Sequence, residues 1–510
     1  MSSISRRSFI VTGASAGALG LNVNDAFAQQ DKKILRFGLS SYPPSLAPWN
    51  NTGTAAITVK LQIFRGLLGY ANDGQLRGEL AESWKREGET GWLFKLRDAF
   101  FHDGRPVTSE DVKWSYEQIA AESSTAYFRT EFRNISRIDT PDAKTVIVVL
   151  KEPMVTFPFI TASPHTPIIA KGSTDNNGTA IGAGPYTIKS QERGVSIDLA
   201  AFGKFYRPGF PKIPTLRMIA YTDENLRVTA VQVGDIDLIE YVPWQHMAMI
   251  EKDQKLRLDT AFGPFMGLNF NGEAGPFKDP RLRLAVAHAI RRKEIVEAAF
   301  FGRGSAMEGL PIPKESEFFD ESRSKFYAYN PDLSKRLMTE AGVGKGFSCT
   351  LLSTAQYGMH KSTAEVVQQH LGEIGIDVKL NLPDWATRVA LGNKGQYEFC
   401  VQGTAAENND FDGLAPLVNS SLPPNISRSF GMAVPKIDEL FAKGRSEFDV
   451  GKRKTIYAEL EAEALKLCPL VGLAWRAQGY AMNVNLKNFK SLSGGINFFT
   501  GYLFEQLEWA

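Results

Sequence analysis

The spacing of apolar residues changes repeatedly along the chain, and each change predicts a new element. Beyond residue 330, short apolar runs alternate with stretches of helical periodicity. The predicted strands are 349–353, 376–382 and 397–402, and the predicted helices between them are 360–374 and 384–391. Strands that alternate with helices of this length are typical of a mostly parallel sheet covered on both faces. The pattern therefore predicts an α/β protein.

One segment, residues 79–118, has a more specific pattern. Residues 92–97 alternate apolar and polar positions, as a half-buried strand does, and Asp103-Gly104-Arg105-Pro106 is typical of a tight turn. Thr108 or Ser109 then stands where a helix N-cap is expected, with Glu110 and Asp111 in the first turn. The segment is predicted to fold as a strand, a turn and a helix.

The order of residues in this segment resembles a known family. The string LAESW, then W-x-F-K-L-R-D, then F-H-D-G-x-P-V-T-x-E-D-V, resembles the extracytoplasmic solute-binding proteins of family 5. The match continues at residues 182–186 (GAGPY) and at residues 224–239. The resemblance implies a two-lobed periplasmic binding protein fold of the Venus-flytrap, type II-like kind. It also implies delivery of a captured solute to the permease of an ABC importer.

The resemblance and the element order together predict a division of the chain. Two extended segments, 262–271 and 470–480, are expected to cross between the lobes as a two-stranded hinge. The predicted parts are a leader at 1–28, a first lobe at 29–264, a second lobe at 265–475, and a return to the first lobe at 476–510. The first lobe is expected to contain an inserted subdomain at about 55–180, with a helix at 57–68.

The N-terminal residues resemble an export signal. Ser5-Arg6-Arg7-Ser8-Phe9 is a twin-arginine pattern, and Ala26-Phe27-Ala28 is typical of a cleavage site that precedes Gln29. The apolar run between them is shorter than the roughly 20 residues that a membrane span needs, so a span or an ordinary first helix is disfavoured. We expect a periplasmic protein.

Charge and cysteine content exclude other classes. The 58 basic and 56 acidic side chains nearly balance, and loss of Arg6, Arg7 and Asp25 with the leader brings the net formal charge from +2 to +1. Such a chain has no electrostatic basis for nucleic-acid binding. The three cysteines are odd in number and lie among apolar residues, so they are expected to be buried thiols, with pairing of two of them the alternative.

Ligands of α/β proteins bind just outside the ends of strands, which directs the search for the site to three places. The first follows the strand at 34–39, and the second lies on the crossing strand. The third is the polar loop after the strand that ends at Gln402. The candidate ligand-binding residues are Tyr42, Pro43, Phe265, Met266, Asn269, Thr404, Glu407 and Asn408.

The resemblance gives the third place a chemical role. In peptide-binding members, the matching loop carries Gly-Trp-x-x-Asp, whose acid holds the α-ammonium of the peptide. Glu407 falls on the acidic position, whereas Thr404 replaces the tryptophan and Phe411 stands where proline is common. The resemblance therefore implies that the ligand is a short peptide or another amine-bearing solute. Because the tryptophan ring is missing, the resemblance favours an amine-bearing solute other than a peptide. A sugar or a metal chelate is the alternative.

Motifs for catalysis are weak. Gly13-Ala14-Ser15-Ala16-Gly17 fits a nucleophile pattern but lies inside the leader, and residues 342–346 lack the hydroxyl that a phosphate loop needs after lysine. The sequence contains neither an H-E-x-x-H motif nor two histidines at metal-binding spacing. We expect no cofactor, no metal site and no enzyme, although a glycoside- or peptide-cleaving hydrolase is the rival class. The expected partners are a small solute and the membrane permease, and the protein is expected to be a monomer.

Overall fold

The computed structural model describes residues 33–173, 180–314, 316–420, 426–429 and 431–510. The predicted leader, residues 1–28, lies outside these residues. No helix in the described ranges is long and apolar enough to cross a membrane.

The strands divide among one large sheet and three smaller ones. They are β1 Ile34–Leu39, β2 Leu68–Tyr70, β3 Leu76–Gly78, β4 Ala81–Glu87, β5 Gly91–Leu96, β6 Ile135–Asp142, β7 Thr145–Leu150, β8 Tyr186–Glu192, β9 Ser196–Ala201, β10 Thr215–Ala220, β11 Leu238–Ile239, β12 Leu256–Phe270, β13 Gly304–Ala306, β14 Phe347–Leu352, β15 Ile376–Asn381, β16 Phe399–Thr404, β17 Leu470–Asn483, β18 Leu486–Lys487 and β19 Glu508–Trp509.

The helices flank these sheets. They are α1 Thr54–Ile63, α2 Ser109–Ala120, α3 Arg129–Phe132, α4 Phe157–Thr161, α5 Glu224–Val233, α6 Trp244–Lys252, α7 Pro280–Ala289, α8 Arg292–Phe300, α9 Pro331–Glu340, α10 Gly358–Gly372, α11 Trp385–Asn393, α12 Ala415–Val418, α13 Pro435–Ser446 and α14 Val450–Leu467. A long 3₁₀ segment, Gly494–Gln506, precedes the last strand.

The large sheet has 11 strands and runs through the whole molecule in the order β15-β14-β16-β12-β17-β11-β1-β10-β9-β8, with β13 beside β17. We call the part built on β1–β11 the first lobe and the part built on β13–β16 and α7–α14 the second lobe. The long strands β12 and β17 lie in the middle and pair antiparallel with each other. They are the two predicted crossings, and both are longer than the sequence indicated.

The prediction of a mostly parallel sheet is right only in part. Strand β14 pairs parallel with β15 and β16, and β1 pairs parallel with β10 and β11. The other pairs of the sheet, including β12 with β16 and β17, are antiparallel. The sheet is mixed because the two crossing strands return from one lobe to the other in opposite directions, which local periodicity does not reveal.

The segment at 79–118 folds as predicted. Strand β5 joins β4 and β7 in a 4-stranded sheet, and helix α2 begins after Thr108. The backbone N–H and hydroxyl of Thr108 both donate to the carboxylate of Asp111, at 3.0 and 2.7 Å, which forms a capping box. The turn between strand and helix contacts the Gly182–Gly184 segment, because His102 bonds the carbonyl of Gly184 at 3.1 Å.

The helix predicted at 57–68 is shorter and begins earlier, since α1 ends at Ile63. The next residues leave the helix because Arg65 is held by two carboxylates from distant parts of the chain. Its guanidinium lies 3.2 Å from Glu79 and 2.6 Å from Glu505, and all three side chains are buried. A buried arginine needs such partners, and they become neighbours only in the folded chain.

The cysteines agree with the prediction. Cys349, Cys400 and Cys468 are buried free thiols. Burial raises the pKa of each, to about 12 for Cys349 and Cys468 and to about 11 for Cys400, so all three are neutral at physiological pH.

The crossing pair has two irregular points, the first between Phe262 and Phe265 and the second between Met266 and Gly267. The register of β12 against β17 shifts between Phe262 and Phe265, so Gly263 and Pro264 lie outside the regular ladder. A Cβ atom on Gly263 would lie 2.0 Å from the backbone oxygen of Gly494. The strand and the C-terminal segment can therefore approach this closely only because residue 263 is glycine.

We predict that Gly263→Ala lowers the free energy of unfolding by about 1–3 kcal/mol, because the added methyl group meets backbone that cannot rotate away. Urea unfolding followed by tryptophan fluorescence measures the change. Gly203→Ala is the matched control, since a Cβ there would meet no atom within 4 Å. Equal stability of the two variants would contradict the close approach.

Candidate ligand-binding cleft

The loop after β16 lies where the two lobes meet. The hydroxyl of Tyr127, from the first lobe, donates to the carboxylate of Glu407 in the second. Nearby, Thr156 of the first lobe donates to Asp412 of the second at 3.0 Å. The backbone N–H of Val155 donates to the carbonyl of Arg445 at 2.7 Å. The loop that carries Glu407 is thus one wall of the seam between the lobes.

The electrostatics of Glu407 are unusual. Its carboxyl group lies deep among neighbouring side chains, yet the residue keeps some exposed surface, as a group at the bottom of a cleft does. Burial, with a smaller contribution from the nearby charge of Glu131, raises the pKa of Glu407 to about 7. The carboxyl is therefore only about half ionised at neutral pH.

The other acids of this loop have basic partners. Asp410 pairs with Arg453 at 2.8 Å, and Asp412 pairs with Arg445 at 2.6 Å. Within the described ranges, no basic side chain forms an ion pair with Glu407, and its hydrogen-bond donor is the neutral Tyr127. Of these three acids, only Glu407 has no basic partner in the described ranges, so its carboxylate is available to bind a cation that is not part of the chain.

Two further candidates lie on the same loop with structural contacts. Thr404 is the last residue of β16 and pairs with Phe265 of β12, and it keeps part of its surface exposed. The side-chain oxygen of Asn408 accepts from the backbone N–H of Asp410 at 2.9 Å. Asn408 is buried and shapes the loop, which holds Glu407 in position.

The three candidates on the crossing strand are buried. Phe265 packs edge-on against Trp475 of β17, with ring centroids 5.9 Å apart. Asn269 donates to the carbonyl of Ile426 at 3.3 Å. Met266 and His360 both lie beside Gly403, because a Cβ there would meet the sulfur of Met266 at 2.9 Å and the ring of His360 at 3.1 Å.

Tyr42 and Pro43 lie at the end of β1, in the first lobe. Tyr42 packs against the first-lobe core, and Pro43 is buried. The strand end is held by the buried Glu240, which accepts from the backbone N–H and the hydroxyl of Ser40 at 3.0 and 2.7 Å. None of the contacts described for Tyr42 reaches Glu407. The structure therefore does not bring Tyr42 and Glu407 together through a described contact.

The structure brings together a set of rings that the sequence analysis missed. Tyr241 of the first lobe stacks on Phe498 with ring centroids 6.2 Å apart. On the second lobe, Tyr357 packs against Trp385 at 5.2 Å. All four rings keep part of their surface exposed. Tyr241 also has a left-handed backbone, with a φ of 52°, which is uncommon for a non-glycine residue and often marks a functional position.

Polar side chains lie behind these rings and were also missed. Arg388 stacks on Trp385, with its guanidinium carbon 4.7 Å from the ring centre, and Arg476 lies 5.6 Å from the ring of Tyr241. His360 lies near both arginines. Burial and the two positive charges hold the pKa of His360 well below its usual value, so the imidazole is neutral.

No local motif could have revealed this set, because its members come from the segment after β11, the start of α10, α11, β17 and the 3₁₀ segment. Trp385 and Arg388 were the one available signal, since they stand three residues apart at the start of a predicted helix. The lobes are closed on each other, and a cavity of about 10 Å³ remains between them, beside Trp475, Asn408 and Gly495. That volume holds about one water molecule.

Two α/β lobes joined by a pair of crossing strands, closed over a polar cleft lined by rings, define the class of two-lobed periplasmic binding proteins. The chain belongs to the bacterial extracellular solute-binding proteins of family 5, because the family model matches residues 75–423. Proteins of this family bind small solutes and work with the permeases of ABC importers. The fold and family expected from the sequence are confirmed.

Individual relatives cover nearly the whole chain. The glutathione-binding protein GsiB of Escherichia coli O157:H7 is 26% identical over 507 residues, which cover 96% of this chain and 97% of GsiB. The binding protein AgaA of A. tumefaciens R10, solved in complex with agropinic acid, is 38% identical with a TM-score of 0.88, covering 94% and 99% of the two chains. A dipeptide-binding protein of Pseudoalteromonas sp. SM9913, solved with Met-Leu, is 19% identical with a TM-score of 0.83 over 94% and 100%.

We predict that Glu407 makes the protein less stable as pH rises. Its pKa is about 7 in the folded chain and 4.5 in the unfolded chain, so between these pH values the unfolded state binds fewer protons. Stability should therefore fall by roughly 2–3 kcal/mol across this window. Urea unfolding of Glu407→Gln at pH 5 and pH 8 should show a smaller loss than the wild type.

The exposed Glu82 provides the matched control, and Glu82→Gln should keep the wild-type pH dependence. If Glu407→Gln loses as much stability between the two pH values as the wild type does, the raised pKa is wrong.

Proposed function

We propose that the protein captures an amine-bearing organic solute of the opine or short-peptide type between its two lobes and passes it to an ABC permease. The observation that carries this proposal is the carboxyl of Glu407. It is deeply placed, open to the cleft, and without a basic partner among the described side chains. A buried carboxylate of this kind is stabilised by a cation, and an ammonium group of the solute supplies one.

Two relatives bear on different parts of this ligand class: glutathione bears a free amino group, whereas agropinic acid is an opine acid whose name specifies no amine. AgaA, at 38% identity over nearly the whole chain, is solved in complex with agropinic acid, and GsiB is named for glutathione. Thr404 stands where peptide-binding members have a tryptophan, which favours a solute other than an ordinary peptide. The rings of Tyr241, Tyr357, Trp385 and Phe498 supply the apolar surface that such clefts use beside a few polar anchors.

A metal chelate is the second candidate. The observation in its favour is His360, whose Nδ1 has no hydrogen-bond partner among the described residues and which lies near two arginines. The described residues contain no group of three or more histidine, cysteine or acidic side chains placed to hold a metal ion. Any metal would therefore arrive with its own ligands. Titration with a nickel–histidine complex distinguishes the two candidates.

The remaining parts of the proposal concern the whole protein. We place the hinge at the register shift of β12 and β17 at Gly263 and Pro264. The first lobe then spans residues 29–264 and the second lobe residues 265–475, and residues 476–510 return to the first lobe. The twin-arginine segment directs export to the periplasm, where the protein acts as a monomer and without catalysis. Mass spectrometry of the solute that copurifies with the exported protein tests the ligand class directly, since a sugar would contradict it.

Glutathione is a suitable probe, because it bears a free amino group and is bound by a relative. We predict that Glu407→Gln weakens its binding by about 2–5 kcal/mol, as expected when one partner of a buried charge pair is removed. Binding should also release protons in the wild type near pH 7, because the ammonium group lowers the raised pKa of Glu407. Calorimetry in buffers of different ionisation enthalpy measures both effects.

The control is N-acetylglutathione, which lacks the ammonium group. It should bind wild type and Glu407→Gln alike and without proton release. Equal loss of affinity for both compounds in the variant would reject the ammonium contact.

A further inference from the structure

Arg476 is a buried cation without a conventional partner. It lies on β17 opposite the register shift at Gly263 and Pro264 and is 1% exposed. Its two hydrogen-bond contacts are long, one to the sulfur of Met359 at 3.4 Å and one to the hydroxyl of Tyr241 at 3.5 Å. Its guanidinium also lies 5.6 Å from the ring of Tyr241 and 5.8 Å from the ring of Trp244, and neither ring carries a negative charge to pair with it. Its Nε has no hydrogen-bond partner in the described ranges. Leaving a buried guanidinium in this condition costs stability, so its presence requires an explanation.

A second buried arginine shows what a structural role looks like in the same protein. Arg292 is 2% exposed, and its nitrogens donate to four backbone carbonyls, those of Gly472, Ile290, Tyr327 and Ala287. Every nitrogen of Arg292 is used to satisfy the chain itself. Arg476 satisfies no carbonyl, so its guanidinium is not needed to complete the fold.

Other donors near Arg476 are also unused. Gln478 lies two residues further along β17, on the same face of the strand, and neither atom of its amide has a partner among the described residues. Arg388 donates from one nitrogen to Val401 and Gln402, while its Nε is unpaired. The neutral His360 lies near both arginines, and no carboxylate in the described part of the chain pairs with either one.

The start of helix α10 adds to this positive region. Met359, which contacts Arg476, is the second residue of α10, and the helix begins at Tyr357 without a side-chain cap. Uncapped N–H groups and the helix dipole favour an anion at such an end. The cationic side chains and the helix end therefore point to the same kind of ligand.

We infer that Arg476, with Gln478, Arg388 and the start of α10, forms a carboxylate-binding site that holds the acidic end of the captured solute. This inference deepens the proposed function and rests on it. A carboxylate displaces the weak contacts to Met359 and Tyr241 and accepts two parallel hydrogen bonds from the guanidinium. Agropinic acid, the ligand bound by AgaA, is consistent with such a group.

The carboxylate site and Glu407 are linked by a short stretch of chain. Gly403 approaches the ring of His360, which lies near Arg476, and Glu407 follows Gly403 by four residues, so the backbones of Gly403 and Glu407 are at most roughly 14 Å apart. The site is thus placed on the same side of the second lobe as the Glu407 loop.

Agropinic acid and the same compound with its carboxyl converted to an amide are the probes. The wild type should bind the acid at least about 30-fold more tightly than the amide, the change expected for a buried charge pair. Arg476→Met should lose most of this preference, because its affinity for the acid falls more than its affinity for the amide, and Arg476→Lys should fall between Arg476→Met and the wild type. An undiminished preference in Arg476→Met overturns the inference.

Thermal unfolding of the solute-free protein separates binding from a structural role. Arg476→Met removes an unsatisfied charge, so its melting temperature should equal or exceed that of the wild type. Arg292→Met removes four carbonyl contacts, and its melting temperature should fall or the protein should fail to fold. A loss of stability in Arg476→Met comparable to that in Arg292→Met would show that Arg476 is structural and overturn the inference.

A third measurement keeps the inference independent of the solute. If neither agropinic acid nor its amide binds, the opine part of the proposed function fails, and the carboxylate site is then judged by acetate. Sodium acetate should raise the melting temperature of the wild type above that in sodium chloride of equal ionic strength, and it should not do so for Arg476→Met. Equal effects of the two salts on the wild type would overturn the inference.

Discussion

The antiparallel pairing of β12 with β17 is the constraint on which the rest of the molecule depends. These strands are shared by both lobes, so one mixed sheet passes through the whole protein. A rigid sheet would hold the lobes at a fixed angle. The register shifts at Gly263 and Pro264 and again between Met266 and Gly267, and breaks in two crossing strands are the kind of place where lobes rotate. Arg476 lies opposite the first of these shifts, so the proposed hinge and the proposed anion site are adjacent.

The charges of the protein fall into two groups. Arg65, Glu79 and Glu505 satisfy each other inside the first lobe, and Asp410 with Arg453 fixes the loop of the second. These groups stabilise the fold. Glu407 and Arg476 are as deeply placed but lack partners of opposite charge among the described residues. A buried charge without a partner costs free energy. When a dipolar ligand pairs with both Glu407 and Arg476, that cost is removed, and the difference contributes to the free energy of binding.

Capture by closure follows from this arrangement. Contacts such as that between Tyr127 and Glu407 exist only when the lobes are together. A solute that bridges Glu407 and Arg476 adds interactions to the closed form that the open form cannot make, and only that difference shifts the population. A micromolar dissociation constant requires about 8 kcal/mol, which two charged anchors and a wall of rings supply.

The sequence alone determined the α/β class and the family, and it proposed Glu407 as the acidic position of the ligand site, because each of these inferences rests on neighbouring residues. Periodicity, a capping pattern such as Thr108 with Asp111, and a loop motif are all local. The mixed direction of the sheet, the early end of α1 at Ile63 and the rings and arginines of the cleft were decided only by tertiary structure. Partners such as Arg65 and Glu505, or Tyr241 and Phe498, lie hundreds of residues apart, and contacts over such separations are set by how the chain packs, which no local pattern records.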